Sequence, residues 1–232
     1  MRFFFCVLIG LLNFISFGQK NIHNRWNKQL QMYVTESGQV NYKAWKKDQK
    51  NLNAYIGTLS NYPPREDASK NYKLAYWINA YNSLTIKLIL DNYPLKTIRE
   101  IKSVWSSKCF SAGGNEYSLG DIEHEVLRKM DEPRIHFAIN CASVSCPKLF
   151  NIAFIEKQLE TQLNHATSSF LLDSSKNILS KNKLSLSKIF FWFKKDFGSK
   201  KERQEFIKKY SGLEFNNPQI NYLNYDWSLN TQ

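Results

Sequence analysis

Apolar residues recur at helical intervals along most of the chain. The helices that this pattern predicts cover about residues 25–34, 44–59, 73–92, 118–130, 154–172, 187–193 and 202–210. Alternating runs predict strands at residues 40–42, 135–139 and 223–229, and hairpins at 108–117 and 179–186. Helices and strands follow one another without a regular strand–helix–strand repeat. The pattern therefore predicts an α+β fold in a single domain, with helices around short antiparallel strands and hairpins.

The longest predicted helix covers residues 73–92 and stops before Pro94, which cannot continue it. At 100° per residue, only a narrow strip of this helix, near Tyr76, Ala80 and Lys87, is suited to solvent. A helix that is apolar on nearly every side belongs in the interior. We therefore expect it at the centre of the core.

Length and composition exclude several classes of protein. The 232 residues are enough for one ordinary domain, and 43% hydrophobic with 22% charged residues is typical of globular chains. Six Trp, twelve Tyr and sixteen Phe argue against a disordered chain. Neither a GxGxxG nor a GxxxxGK[ST] motif occurs, so nucleotide binding through a glycine-rich loop is not predicted.

The first eighteen residues have the pattern of a secretory signal peptide. Met1 and Arg2 precede an apolar run, and the small residues Ser16 and Gly18 occupy the positions that a signal peptidase requires. The run is too short to span a bilayer comfortably, although an uncleaved anchor is the alternative. We therefore expect an exported protein, periplasmic or secreted, whose mature domain covers residues 19–232 without a transmembrane segment.

The strongest shift in composition lies at residues 176–209, which carry eleven Lys or Arg and three Asp or Glu. The ordinary interpretation of this basic segment is a solvated face. The alternative is contact with an anionic surface or polymer, such as lipid or a cell-wall glycan. Nucleic acid is not a predicted partner, because no nucleic-acid-binding module is recognisable.

Four ordered segments resemble one protein family. They are residues 76–82 (YWINAYN), 121–124 (DIEH), 134–147 (RIHFAINCASVSCP) and 225–230 (YDWSLN). Together they are similar to the family called domain of unknown function 547, which occurs in exported bacterial proteins and in plants. The resemblance covers roughly residues 26–230 and implies no particular activity, because the family has none assigned.

Two cysteines and a histidine of the third segment could carry covalent chemistry. If residues 135–139 form a strand, His136 faces away from Cys141, whereas Cys146 is free to fold back toward His136. A Cys–His pair makes a nucleophile because the imidazole takes the thiol proton. Two alternatives remain open, a Cys141–Cys146 disulfide and inert packing of both thiols. Cys109, which is not expected from the family resemblance, is treated as incidental.

Three further polar residues fall on or beside predicted apolar faces. Glu123 lies inside the apolar arc of the helix at 118–130, with His124 at its flank, so the carboxyl group needs donors or becomes protonated. Asn82 lies on the apolar face of the long helix. A buried amide of this kind usually satisfies backbone groups, and the alternative is an oxyanion or substrate contact.

These residues support one leading hypothesis and one rival. The hypothesis is a thiol-dependent hydrolase or acyltransferase that acts on a peptide or amide-like substrate, with analogy to papain-like and transglutaminase-like enzymes in size and fold class alone. Its candidate site comprises Cys146 or Cys141, His136, Glu123 or His124, and Asn82. No cofactor and no metal are predicted, because the His136–Cys141–Cys146 spacing matches no common zinc pattern. The rival is a non-enzymatic exported binding module that uses the basic segment 176–209.

Overall fold

The computed structural model of the chain describes residues 22–232, so the predicted signal peptide lies outside the described residues. The α-helices are α1 (Asn24–Tyr33), α2 (Tyr42–Lys47), α3 (Lys50–Asn61), α4 (Lys70–Asn92), α5 (Leu159–Leu172), α6 (Ile189–Trp192) and α7 (Lys200–Ser211). The strands are β1 (Phe110–Ala112), β2 (Asn115–Tyr117), β3 (Ile178–Leu179), β4 (Lys183–Leu186) and β5 (Gln219–Tyr222). A π-helix covers Asp121–Leu127, and 3₁₀-helices cover Ile98–Glu100, Arg128–Met130, Pro133–Phe137 and Glu156–Gln158. The α+β prediction is confirmed.

Helix α4 lies at the centre of the larger core. Every residue from Leu74 to Ile86 is buried, which includes Tyr76 and Ala80. The expectation that Tyr76 and Ala80 face solvent is therefore wrong. Of the three residues expected near solvent, only Lys87 is half-buried. The Tyr76 hydroxyl tolerates burial because it donates a hydrogen bond of 2.6 Å to the Leu59 carbonyl oxygen.

A second, smaller core is built largely from aromatic rings. Phe137 packs against phenylalanines of α5, α6 and α7 and of the segment that joins the last two helices: Phe170, Phe190, Phe197 and Phe206. Its neighbours Ile135 and Ala138 belong instead to the larger core around α4. The 3₁₀-helix Pro133–Phe137 therefore lies between the two cores and exposes neither face to water.

Two small sheets complete the fold. Strands β1 and β2 form an antiparallel hairpin whose turn places Gly113 and Gly114 at φ values of +57° and +78°. This left-handed conformation favours glycine, so the predicted hairpin is confirmed with its turn residues. In the other sheet β3 pairs antiparallel with β4, as predicted, while β5 pairs parallel with β4.

Three predicted elements differ from the structure. The alternation at 135–139 does not form a strand, because Pro133 opens a 3₁₀-helix and the Glu132 side chain accepts a hydrogen bond from the Arg134 N–H. The alternating end of the chain, 223–229, contributes only a bridge between Leu229 and Ser143. The helix predicted at 118–130 is helical, but as a π-helix followed by a 3₁₀-turn.

Two smaller differences lie near the start of the domain. The strand predicted at 40–42 is reduced to isolated bridges at Val40, and Tyr42 already begins α2. The single helix predicted at 44–59 is divided into α2 and α3 near Asp48. Within residues 22–232 no helix is both long enough and apolar enough to cross a membrane.

Candidate active site

Five of the six predicted site residues line one cavity of about 200 Å³. They are Glu123, His124, His136, Cys141 and Cys146. Aromatic side chains make up much of the remaining wall, namely Tyr81, Trp105, Trp192, Phe193, Tyr225 and Trp227. Apolar walls with a few convergent polar groups are typical of a small-molecule or catalytic site.

The sixth residue, Asn82, lies outside this cavity and holds the backbone behind it. Its amide nitrogen donates to the Ala138 carbonyl oxygen at 2.9 Å, and its amide oxygen accepts from the Asn140 N–H at 2.8 Å. Both ends of the buried amide are therefore used by the main chain that leads to Cys141. The contacts agree with the structural alternative for Asn82.

A second buried amide shapes the loop of residues 141–147, which we call the thiol loop. The Asn140 side chain accepts from the Ala142 N–H at 2.8 Å and donates to the Pro147 carbonyl oxygen at 2.6 Å, so it joins both ends of the loop. Ala142 is buried and has a φ of +62°, a conformation that costs an alanine roughly 1–2 kcal/mol. Non-glycine residues in this conformation are found preferentially at functional sites.

Several hydrogen-bonding groups surround the sulfur of Cys141. The Cys146 sulfur lies 2.8 Å from it, and the hydroxyl oxygens of Ser143 and Tyr225 each lie 3.3 Å from it. The Ser143 N–H adds a backbone donor. The hydrogen bond from Cys146 opposes the effect of burial and, with the other donors, lowers the pKa of the Cys141 thiol to about 7.

Cys146 has the opposite character. It is buried, and its sulfur accepts the Cys141 N–H at 2.9 Å. Burial and its position beside the Cys141 sulfur raise the pKa of the Cys146 thiol well above its ordinary value. The expected approach of Cys146 to His136 rested on a strand at 135–139 that does not form. Of the two thiols, Cys141 is the one whose pKa is lowered.

Elsewhere in the cavity wall, His136 is bound to a carboxylate. Its Nε2 lies 2.7 Å from Asp196, whose two carboxylate oxygens also accept from Arg128 at 2.6 Å each. The ring stacks on Phe193 with the centroids 4.1 Å apart. No hydrogen bond described within residues 22–232 joins His136 to either thiol, so the predicted Cys–His pair is not formed directly.

Burial and charge set the protonation states of this group. Burial acts to raise the pKa of Asp196, but the hydrogen bonds from Arg128 and His136 outweigh it and hold the pKa well below its usual range. Burial lowers the pKa of His136, and Asp196 offsets only part of this effect. The imidazole is therefore neutral near pH 7, with Nε2–H donated to Asp196 and a lone pair left on Nδ1.

Glu123 and His124 belong to the π-helix Asp121–Leu127, a type of helix that recurs at functional sites. The Tyr81 hydroxyl lies 3.3 Å from the Glu123 carboxylate. Burial, reinforced by the nearby Cys141, raises the pKa of Glu123 to about 7. His124 is exposed, lies 3.3 Å from Arg128, and has a lowered pKa because of partial burial and the Arg128 charge.

The comparisons with known proteins place this site in a family. Residues 65–171 match the family described as "Protein of unknown function, DUF547". Over these residues the chain is similar to the members of this family. No curated protein and no solved structure matches the chain. All six predicted site residues lie within the DUF547 segment, whereas Asp196 and Tyr225 follow it.

Three important residues of the site were not predicted from sequence. Tyr225 was assigned to an apolar stripe, and neither Asp196 nor Ser143 was given a role. Ser143 could have been suspected from its position between the cysteines, since a hydroxyl two residues after a thiol can turn back toward it. Asp196 and Tyr225 are 60 and 84 residues from their partners in the chain, and no local pattern announces such contacts.

Two other charged residues lie apart from the cavity. Asp226 is exposed and accepts a hydrogen bond from the Ser228 N–H. Arg134 pairs with Glu132 and Glu160. Among residues 22–232, no group of three or more His, Cys, Asp or Glu side chains is arranged to hold a metal ion.

Proposed function

We propose that the chain is a thiol-dependent hydrolase or acyltransferase for a peptide or amide-like substrate, with Cys141 as the nucleophile. The observation that carries the proposal is the set of four hydrogen-bonding groups around the Cys141 sulfur, at the wall of an aromatic cavity. A pKa of about 7 leaves much of this thiol ionised at neutral pH, and the thiolate is the reactive form. The activation therefore does not depend on a protonated histidine.

Glu123 is the proposed general acid and base. A carboxyl group with a pKa of about 7 is present in both protonation states near neutrality, which suits proton transfer in two directions. The Cys141 thiolate would attack the acyl carbon, and protonated Glu123 would donate its proton to the departing amine as the C–N bond breaks. The Glu123 carboxylate would then take a proton from water or from an acceptor alcohol or amine that attacks the thioester, which releases the Cys141 thiolate.

The hydroxyl of Tyr225 is placed to assist the negative charge that develops during this reaction. It lies 3.3 Å from the Cys141 sulfur and 3.1 Å from the Ser143 hydroxyl, so both hydroxyls surround the atom that attacks. As charge moves from sulfur to the acyl oxygen, a donor held here can follow it. His136, neutral and fixed by Asp196, is the alternative base in the same cavity.

An acyl-transfer trap tests the proposal. Reduced protein is mixed with p-nitrophenyl acetate, and the modified peptide is identified by mass spectrometry. We expect a burst of nitrophenol and an acetyl group on Cys141, in the native chain and in the matched control Cys109→Ser. Cys141→Ser should show neither. Amide substrates with different aromatic side chains then measure turnover.

Acetylation of Cys109 at the same rate as Cys141, or of neither, would contradict the proposal and favour the binding module instead. One observation supports that rival: none of the Lys and Arg side chains at 176–209 is buried. Binding to anionic vesicles that is lost in high salt would then be its signature.

We also propose that the protein acts outside the cytoplasm, on the strength of the signal-peptide pattern in residues 1–18. Intact mass of the protein after expression with the full sequence tests this. A mature chain that starts at Gln19 is expected. A protein that keeps residues 1–18 would overturn the proposal.

A further inference from the structure

The acyl chemistry above needs one thiol as a nucleophile, yet the cavity contains two. Cys146 is only 6% exposed and lies directly behind Cys141, with the two sulfurs 2.8 Å apart. Both cysteines are free thiols. An unused nucleophilic atom at this distance from a reactive sulfur calls for a chemistry that uses both.

We propose that Cys141 and Cys146 are a redox pair that reduces disulfides by thiol–disulfide exchange, with Cys141 as the attacking thiol and Cys146 as the resolving thiol. This activity goes beyond the proposed acyl transfer and does not depend on it. It requires a disulfide as the oxidant and no other co-reactant.

The exchange proceeds in two steps. The Cys141 thiolate attacks one sulfur of the substrate disulfide, the substrate S–S bond breaks, and the first substrate sulfur departs as a thiolate. Cys141 is now bound in a mixed disulfide. Cys146 then attacks the Cys141 sulfur, its proton passes to the second departing thiolate, and the Cys141–Cys146 bond forms. The substrate disulfide gains two electrons, and the cysteine pair loses two.

The thiol loop holds the two sulfurs in place for the second step. Asn140 binds both ends of the loop, and the Cys141 N–H donates to the Cys146 sulfur. The sulfurs need to approach by less than about 1 Å to reach the disulfide bond length of about 2.04 Å. Closure of the pair therefore requires little movement of the backbone.

The difference in exposure between the two thiols indicates which of them attacks the substrate disulfide first. Cys141 is half-buried at the cavity wall, whereas Cys146 is enclosed, so an external disulfide meets Cys141 first. Protonation supports the same order. A pKa near 7 gives Cys141 thiolate at neutral pH, and Cys146, whose pKa is raised, stays a thiol until a mixed disulfide brings an electrophilic sulfur beside it.

The cavity walls indicate the kind of disulfide. Trp192, at the end of α6, is 42% exposed. The centroid of its ring lies 4.8 Å from that of Tyr225 and 5.8 Å from that of Trp227. An aromatic surface therefore leads from solvent to Cys141. Such a surface favours a disulfide that is flanked by apolar or aromatic side chains over one that is flanked by small polar groups. The expected substrate is a peptide or protein disulfide of this type.

The experiment uses the reduced protein and three disulfides: oxidised glutathione, a cystine-bridged peptide with phenylalanine beside each cysteine, and the same peptide with glycine instead. Products are followed by mass spectrometry under native conditions. The variants are Cys146→Ser, Cys141→Ser and the control Cys109→Ser. Cys146→Ala serves as a second variant, in case the serine form does not fold.

In the native chain and in Cys109→Ser, we expect a Cys141–Cys146 disulfide, two released thiols for each reduced substrate, and no lasting adduct. In Cys146→Ser, a stable mixed disulfide should accumulate on Cys141, and Cys141→Ser should not react. The phenylalanine peptide should be reduced faster than the glycine peptide.

Three results would overturn the inference. They are a native chain that keeps both thiols reduced in excess disulfide, a mixed disulfide that persists as long in the native chain as in Cys146→Ser, and first attack by Cys146. Equal rates for the two peptides would overturn the substrate assignment. None of these readouts uses an acyl substrate, so a failure here is distinguishable from a failure of the acyl-transfer trap.

Discussion

The two sides of the cavity are built by different physical means. The thiol loop is held by neutral groups, because the amides of Asn82 and Asn140 bind the backbone on either side of Cys141. The side that contains His136 is held by charge, because the Asp196 carboxylate pairs with Arg128 and accepts a hydrogen bond from His136.

The two sides are therefore expected to respond differently to salt and to pH. Hydrogen bonds between neutral buried groups depend little on salt or on pH, whereas a partly exposed ion pair depends on both. The reactive sulfur is thus supported by the part of the site that changes least with the surroundings. The histidine lies in the part that responds to acid.

The largest effect is expected from Asn82→Leu, which removes the amide that supports the thiol loop. The Ala138 carbonyl and the Asn140 N–H would each lose their partner, at a cost of about 1–3 kcal/mol for each group left unpaired. Chemical unfolding measures the loss. Asn92→Leu, at the exposed end of the same helix, is the control and should change stability little. Equal stabilities of the two variants would show that neutral amides do not hold this side.

Asp196→Asn should cost somewhat less, about 1–3 kcal/mol, because its ion pair with Arg128 and its hydrogen bond from the neutral His136 are neither fully exposed nor fully buried. The contribution has a definite pH window. The pKa of Asp196 is lowered on folding, so its stabilisation is present above the unfolded value near 3.8 and is lost as the pH falls through the lower folded value. The pKa of His136 is also lowered on folding. The stability of the folded state therefore falls as the pH drops below 6.5, the value in the unfolded chain.

Unfolding of the native chain and of Asp196→Asn across pH and salt tests this assignment. The difference between the two should shrink toward acid and in high salt. A difference that is constant across both would mean that Asp196 acts by packing and not by charge.

Glu123→Gln should act in the opposite direction and stabilise the protein at alkaline pH. The folded pKa of about 7 lies above the unfolded value of 4.5, so native stability falls as the pH rises between these values. The substitution should therefore add about 1–2 kcal/mol at pH 8 and nothing near pH 4.5. Glu125→Gln, on the exposed part of the same π-helix, is the control. A loss of stability at pH 8 would mean that the Glu123 carboxylate is well satisfied when ionised.

Tyr225→Phe should have the smallest effect, confined to the sulfur. The variant removes the hydrogen bonds of this hydroxyl to the Cys141 sulfur and to Ser143, and loss of the one to the sulfur, worth about 0.5–1.5 kcal/mol, should raise the pKa of Cys141 by up to about one unit. Alkylation by iodoacetamide across pH, followed by peptide mass spectrometry, measures this shift. Tyr222→Phe is the matched control, and Cys109, whose pKa burial raises to about 11, is the slow internal reference. If His136→Ala shifts the profile and Tyr225→Phe does not, the thiol is paired with the histidine after all.

Much of the local structure could be predicted from residues that are close in the chain. Ser118 and Asp121 form a capping box, a pattern visible in the sequence, with the Ser118 N–H and the Asp121 N–H each bound to the other side chain. The glycine turn of β1–β2 and the end of the long helix at Asn92, before Pro94, were also evident. These features are encoded by neighbouring residues, so a pattern of a few positions is sufficient to find them.

The candidate residues were also recognisable from sequence, as reactive residue types on apolar or strand-like segments. Their arrangement was not. Alternating apolar residues at 135–139 indicated a strand, yet two separate cores bury the two sides of a 3₁₀-helix and produce the same alternation. Because this strand does not form, the predicted approach of Cys146 to His136 is not observed.

The amino-acid sequence by itself determined the fold class, the similarity to the DUF547 family and the set of candidate side chains. The tertiary structure alone decided which thiol is ionised, because the pKa of Cys141 depends on a tyrosine 84 residues away and on a loop closed by a buried asparagine. It also decided that His136 binds Asp196 and neither cysteine. Such contacts arise from the packing of segments that are distant in the chain. Hydrogen bonds of this kind produce no periodic pattern in the sequence.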